Sequence, residues 1–267
     1  MPNFMQNTDQ PVVLSIAGHD PGGGAGIQAD IETIAALGGT PATAITCLTL
    51  QDTVNVQRIA PVESTLVGEQ IACVLQDYQV RAIKIGLLGD PEIAVAVGDK
   101  LQQHPGIPLV LDPVLAAGGG TELAREGLIE AMQNLLFPHT ALITPNSEEA
   151  RRLTGEQQLG ACAAKLLDQG VEAVLITGTH ENSEEVVNQL YRPGLGVLAL
   201  SWPRLEGSYH GSGCTLASAI ATGLAAGHSL EEAVERGQQF TWSALKNATH
   251  PGRGQAIPNR RHQQEKH

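Results

Sequence analysis

Short apolar, β-branched runs alternate along this chain with stretches whose apolar residues recur every three or four positions. Residues 12–17 are mostly apolar and stop at Gly18, the pattern of a buried strand. After a glycine-rich loop, Ile27, Ile31, Ile34, Ala35 and Leu37 recur at helical spacing until Gly38-Gly39 ends the helix. Residues 40–50 predict a second strand, and Pro61 opens a predicted helix that runs to about Asp77. Further strands are expected at 82–85, 108–111, 141–143 and 173–176, with a helix at 91–103 between the first two of these. Two weaker strands follow at 187–191 and 197–200, and two helices at 213–226 and 230–247 close the chain. Strand-then-helix alternation predicts an α/β fold with a mostly parallel sheet covered on both faces. Nothing resembles a linker or a repeat, so a single domain is expected over residues 1–267, with its core at about 12–258 and both termini frayed.

Composition narrows what such a sheet could do. The chain has 267 residues, of which 42% are hydrophobic, enough for a large core. Its net charge of −12 disfavours nucleic acid and anionic membranes, and 3% aromatics argues against a base-stacking platform. No apolar run approaches a membrane span, and residues 1–10 lack a signal-peptide core. The cysteines, at 47, 73, 162 and 214, have no metal-binding spacing, which points to free thiols in a reducing cytoplasm.

Ligands of parallel sheets gather at the carboxyl ends of strands. There this sequence collects residues 18–26, Gln51-Asp52, Gly86, Asp112-Pro113, Asn146, Thr177-Gly178 and the neighbourhood of Gly211. His210-Gly211-Ser212-Gly213-Cys214-Thr215 leads into a helix. Its backbone N–H groups and helix end suit a transferring phosphoryl group without a lysine, although the same glycines also serve a tight turn. Cys214 in the first turn would have its pKa lowered by the helix end and could take or steer a proton. Residues 24–29 match only loosely the fingerprint of dinucleotide folds, and no Walker-type phosphate loop occurs. The better reading is a loop that holds Asp20 over a small ligand. Asp112 with the Asn146/Glu149 pair makes a hard-oxygen set for Mg²⁺, and Asn146 with Glu149 also fits a helix capping box. Gln51 offers a donor and an acceptor to a heteroaromatic ring edge.

In combination these stretches resemble the hydroxymethylpyrimidine/phosphomethylpyrimidine kinases of thiamine biosynthesis, within the ribokinase-like superfamily. The matching pieces include Ile16-Ala17-Gly18, Asp20-Pro21, residues 23–30, Ala44-Ile45-Thr46, Gln51, Lys84-Ile85-Gly86, residues 111–114, 143–146 and 210–216. The resemblance implies a ribokinase-like α/β/α three-layer sandwich that binds ATP and Mg²⁺ and forms a homodimer. It implies phosphorylation of 4-amino-5-hydroxymethyl-2-methylpyrimidine to the monophosphate, and of the monophosphate to the diphosphate. It places the pyrimidine at Ala17, Gly18, Asp20, Gln51 and Val114. The nucleotide falls to Asn146, Thr177, Gly178 and His210, and the metal to Asp112 and Glu149. Gly211, Ser212 and Gly213 form the anion hole, with Cys214 in place of the aspartate base of sugar kinases. Ala117, Thr177 and Gly207 stand where many relatives carry lysine, which bears on the second phosphorylation, and Lys84 and Arg204 are the candidate compensating cations. Asp52 replaces a usual Asn and Ser212 a usual Thr. The competing readings are a pyridoxal-type kinase on the same fold and a non-catalytic pyrimidine-binding regulator.

Overall fold

The computed structural model describes residues 10–116, 120–121 and 123–262. Nine strands form one sheet: β1 (Val12–His19), β2 (Thr40–Gln51), β3 (Val56–Pro61), β4 (Val80–Ile85), β5 (Leu109–Leu111), β6 (Leu142–Ile143), β7 (Val174–Ile176), β8 (Glu185–Tyr191) and β9 (Leu198–Pro203). Their order is β3-β2-β1-β4-β5-β6-β7-β8-β9. The run from β2 to β7 is parallel, and β3, β8 and β9 add antiparallel edges. The helices are α1 (Gly26–Ala36), α2 (Ser64–Asp77), α3 (Pro91–Gln103), α4 (Leu128–Leu135), α5 (Ser147–Thr154), α6 (Leu159–Asp168), α7 (Ser212–Ala225) and α8 (Leu230–Lys246).

Two apolar layers hold the sheet. On one face Val67 and Ile71 of α2, Ile93 and Val97 of α3, Met132 of α4, Leu153 of α5 and Leu166 of α6 pack on Leu14, Ile16, Ile83 and Leu111. On the other, Ile34 of α1, Leu216 and Ile220 of α7 and Val234 of α8 cover Val13, Ala82, Val110 and Leu142. Helices on both faces make the expected three-layer sandwich. β1 and β4 are buried on both sides because their neighbours are parallel and both faces are covered.

Two expectations fail. Pro61 does not open a helix: it closes β3, an edge strand antiparallel to β2, and α2 begins at Ser64 after Glu63. An edge strand tolerates a proline that lacks a ladder donor. The tail is not frayed from Arg260, because Arg260 is 1% exposed and the His262 ring lies 5.4 Å from that of Phe240.

Candidate active site

The carboxyl ends of the parallel strands open into one cleft of about 540 Å³. One end carries Gly18, His19 and Gln51, the middle Asp112, Val114, Glu149 and the turn 210–214, and the far end Thr177, Thr179, Trp202 and Arg204. The topology is the cause: adjacent parallel strands all end at one rim, and each releases its loop there.

The turn before α7 is built by close backbone approach. Gly211 has φ +81°, and a Cβ there would lie 2.0 Å from the Gly24 carbonyl oxygen, so only glycine fits. Gly26, at φ +57°, presses equally closely on the Gly18 carbonyl. The two glycine-rich loops therefore lock together. Thr215 N–H donates to the Gly211 carbonyl at 3.0 Å, which starts the helical ladder. The N–H groups of Ser212, Gly213 and Cys214 fall before that ladder and have no intrahelical acceptor. Asp112 sits beside this turn, for a Cβ on Gly213 would come within 3.7 Å of its carboxylate.

Burial dominates the electrostatics. Asp112 is buried, which pushes its carboxyl up to about 6; Asp30 adds to the rise, while Lys84 and a hydrogen bond with Cys214 oppose it. Burial likewise pushes Glu149 up to about 8, and the Asp112 charge adds to it. Glu149 accepts from Asn146 N–H at 3.0 Å while its own N–H donates to Asn146 Oδ1 at 2.9 Å, the reciprocal cap expected from the sequence. Asp112 Oδ2 is buried with no hydrogen-bond partner. Two mutually repelling carboxylates, one with an orphaned oxygen, fit a divalent cation that would neutralise both.

Cys214 contradicts its expected pKa. Removal of the sulfur from water pushes the thiol up to about 12, and Asp112 and Asp30 add to this against Lys84. A helix end and one cation do not overcome desolvation beside two carboxylates. The group is a neutral thiol at pH 7.

Other predicted residues divide. Gly18, Gln51, Val114, Asn146, Thr177, His210, Ser212 and Gly213 line the cleft. Gln51 Nε2 donates to Thr49 Oγ1 at 2.7 Å, and Thr49 Oγ1 donates to the His19 carbonyl at 2.8 Å, so the amide rests on the end of β1. Asp20 reaches the cleft wall but does not present a free carboxylate, since it accepts from Gly22 and Ala25 N–H, each at 2.8 Å, and pairs with His210 Nε2 at 2.9 Å. Burial raises its pKa, and the His210 and backbone hydrogen bonds outweigh that and leave it below its ordinary value. Asp20 therefore organises the loop, and His210 is committed to it. Ala17 is fully buried behind the rim. Gly178 is a packing glycine: its N–H donates to Asn188 Oδ1 at 3.1 Å, and a Cβ would lie 2.2 Å from the Val187 carbonyl oxygen. Ala117 lies outside the described residues.

Of the two candidate compensating cations, Lys84 does not line the cleft, and Arg204 lines it with its guanidinium tied to neighbouring carbonyls. Lys84 is fully buried, with Nζ 2.9 and 3.0 Å from the two Asp30 oxygens. Arg204 donates to the carbonyls of Thr179, Glu181 and Ser183 and so staples that loop. The Lys84–Asp30 pair, held also by Ser15 and Ser218, is the part of the site that sequence reasoning missed. Its one signal is charge inside apolar stretches: Lys84 within β4 and Asp30 on the Ile27/Ile34 face of α1.

Residues 20–259 match the family profile described as phosphomethylpyrimidine kinase. The chain is 39% identical over 253 residues to the thiamine biosynthesis bifunctional protein ThiED of Geobacter sulfurreducens, covering 92% of this chain and 51% of that longer protein. It is 38% identical to the hydroxymethylpyrimidine/phosphomethylpyrimidine kinase of Rhizobium meliloti, over 89% of this chain and 91% of the relative. Among solved structures, the pyridoxal kinase of Staphylococcus aureus in complex with ADP superposes with TM-score 0.86 at 29% identity, covering 94% of this chain and 93% of that one.

Proposed function

The chain belongs to the phosphomethylpyrimidine kinase family, and we propose that its cleft transfers the γ-phosphate of ATP to the hydroxymethyl group of 4-amino-5-hydroxymethyl-2-methylpyrimidine and then phosphorylates the monophosphate, in thiamine biosynthesis. One observation carries the reading: the α7 turn, whose first N–H groups have no intrahelical acceptor, lies beside Asp112 in one cleft that Glu149 and Gln51 also line.

In this reading the pyrimidine lies at the Gly18 and Gln51 end and reaches Val114 in the middle of the cleft. There the Gln51 amide matches the ring edge, and a ring without matching groups would leave polar atoms unpaired. The nucleotide occupies the Asn146, Thr177 and Trp202 end. The Ser212, Gly213 and Cys214 amides meet the charge that builds on the transferring phosphoryl group, a fixed array needing no rearrangement. Asp112 and Glu149 would hold Mg²⁺, which supplies charge neutralisation between phosphates. Cys214 touches the acceptor hydroxyl and orients it by hydrogen bonding, while the hydroxyl proton passes to an oxygen of the transferred phosphoryl group as its bond to ADP breaks. Phosphoryl transfer depends mainly on positioning, so a neutral thiol suffices.

The same reading takes the chain as a single kinase domain acting in a reducing cytoplasm, consistent with its free cysteines, and as having no nucleic-acid partner. It pairs in a homodimer through the β2–β3 hairpin, where Leu48, Leu50 and Val54 are exposed. Pyridoxal is the second candidate acceptor, favoured by the likeness to the Staphylococcus aureus kinase. A structure with the hydroxymethylpyrimidine bound tests the placement: the ring within hydrogen-bond distance of the Gln51 amide supports it, and a ring at the Trp202 end refutes it.

A further inference from the structure

Beyond α8 the chain turns back over the cleft. Thr249 and Ile257 exchange backbone hydrogen bonds at 2.9 and 2.8 Å, and Asn259 N–H donates to the Ala244 carbonyl at 3.0 Å, anchoring the return to α8. On its way the segment meets both ends of the acceptor side of the site. Gln255 N–H donates to the Thr53 carbonyl at 2.8 Å, and Gly254 N–H donates to Thr53 Oγ1 at 3.0 Å, two residues beyond Gln51. Ala256 N–H donates to the Ser208 carbonyl at 3.0 Å and its carbonyl accepts from His210 N–H at 2.9 Å, one residue before Gly211.

Arg260 then enters the junction of the two glycine-rich loops. Its Nη2 donates to the Gly24 carbonyl, the same oxygen on which Gly211 is pressed. Its Nη1 reaches the Gly23 carbonyl at 3.4 Å and Glu32 Oε2 at 3.3 Å, and its Nε donates to Thr215 Oγ1 at 2.9 Å. Thr215 Oγ1 in turn donates to the Gly211 carbonyl at 2.8 Å. A Cβ on Gly211 would lie only 2.9 Å from Nη2, so the guanidinium sits directly behind the turn. Burying a charge this fully is costly and persists only with dense partners. A planar fork can serve two carbonyls, a hydroxyl and a carboxylate at once, which an ammonium cannot. Its counter-charge, Glu32, is 38% exposed and screened by water, whereas the guanidinium is not.

We propose that residues 249–262 form a strap that sets the phosphate-receiving turn, with Arg260 as its positioning residue. The guanidinium fixes the Gly211–Cys214 amides against the 23–24 loop and places a permanent positive charge behind them. The inference rests on the kinase reading for its rate consequences, but the anion-binding geometry it describes does not depend on which acceptor is used.

The test compares wild type with Arg260→Gln and Arg260→Lys, measuring kcat and KM with hydroxymethylpyrimidine and ATP, calorimetric affinity for tripolyphosphate, and the thermal midpoint. Misplacement of a reacting group by ~1 Å costs on the order of 10²-fold, so Arg260→Gln is expected to lose about 10- to 100-fold in kcat, with pyrimidine KM changed less than about threefold. Tripolyphosphate affinity falls in parallel, and low millimolar guanidinium restores part of both. Arg260→Lys keeps the buried charge and the fold but lacks the fork, and gives an intermediate kcat that guanidinium does not improve. Wild-type kcat and tripolyphosphate affinity in a folded variant overturn the proposal. So do losses that follow a lowered thermal midpoint and that guanidinium leaves untouched. Because the tripolyphosphate arm is blind to the acceptor, failure of wild type to phosphorylate the pyrimidine would count against the assigned function while the strap is still judged on binding.

Discussion

Replacing Lys84 by Met tests the buried charge cluster beneath the cleft. Lys84 and Asp30 are both fully inaccessible, 2.9 Å apart, and the Ser15 and Ser218 hydroxyls donate to the Asp30 oxygens at 2.5 and 2.7 Å. Methionine fills the volume but leaves a buried carboxylate facing only two hydroxyls. Removing one partner of such a pair costs roughly 3–5 kcal/mol, a large share of the ~5–15 kcal/mol that holds a typical domain. Removing both charges restores the balance, so Lys84→Met with Asp30→Asn should recover most of that loss. The assay is equilibrium urea unfolding of wild type, both single variants and the double variant. The functional consequence is separate: Lys84 opposes the rise of the Asp112 pKa, so in the double variant, which lacks Asp30 as well, the two opposing influences on Asp112 cancel in part. A loss below about 1 kcal/mol for Lys84→Met, or a double variant as unstable as the sum of its parts, would show that the pair is not coupled as described.

Cys214→Ala should lower kcat by about 10- to 100-fold with little change in pyrimidine affinity, whereas Cys214→Ser should retain part of the rate as a neutral hydrogen-bonding group; equal activity in all three proteins removes Cys214 from the reaction. Its thiol, held near 12, should alkylate with iodoacetamide at pH 8 far more slowly than the exposed Cys73, as read by peptide mass spectrometry. Asp112 and Glu149 bind protons more tightly folded than unfolded, so their contribution favours the metal-free protein at low pH and is lost as pH rises through about 6 and about 8. Thermal midpoints should therefore show Mg²⁺ stabilising the protein increasingly from pH 6 to 8, and a Mg²⁺ effect independent of pH contradicts these two ligands. The monophosphate should react more slowly than hydroxymethylpyrimidine at saturating ATP, since Lys84 is committed to Asp30 and Arg204 to three carbonyls. Thr177→Lys should raise the second rate selectively, and equal rates in wild type would show that the substituted lysines matter little.

Much of the parallel core was legible because several buried strands are short apolar runs followed by a Gly, Asp-Pro or Thr-Pro, as at Gly86, Asp112 and Thr144. α7 was legible for the same reason the turn works: Gly211 stands before the helix where backbone must approach backbone. β3 was not, because Pro61 carries one meaning at a helix start and another on an edge strand, and only the pairing with β2 decides. The charged parts of the site were harder. Lys84 pairs with a residue 54 positions away and Arg260 with carbonyls 236 and 237 positions away, and local pattern shows a charge inside an apolar stretch without showing which distant residue answers it. The Cys214 pKa departs from the expectation because a helix end is visible in sequence, whereas the burial of the sulfur and the Asp112 and Asp30 charges around it are not.

The central claim is the acceptor. Purified protein with ATP and Mg²⁺ should be offered hydroxymethylpyrimidine, its monophosphate, pyridoxal and ribose separately, with phosphorylated products identified by mass spectrometry. The account predicts rapid formation of hydroxymethylpyrimidine monophosphate, slower diphosphate, and no ribose phosphate. ATP-dependent product from pyridoxal or ribose with none from hydroxymethylpyrimidine would contradict it.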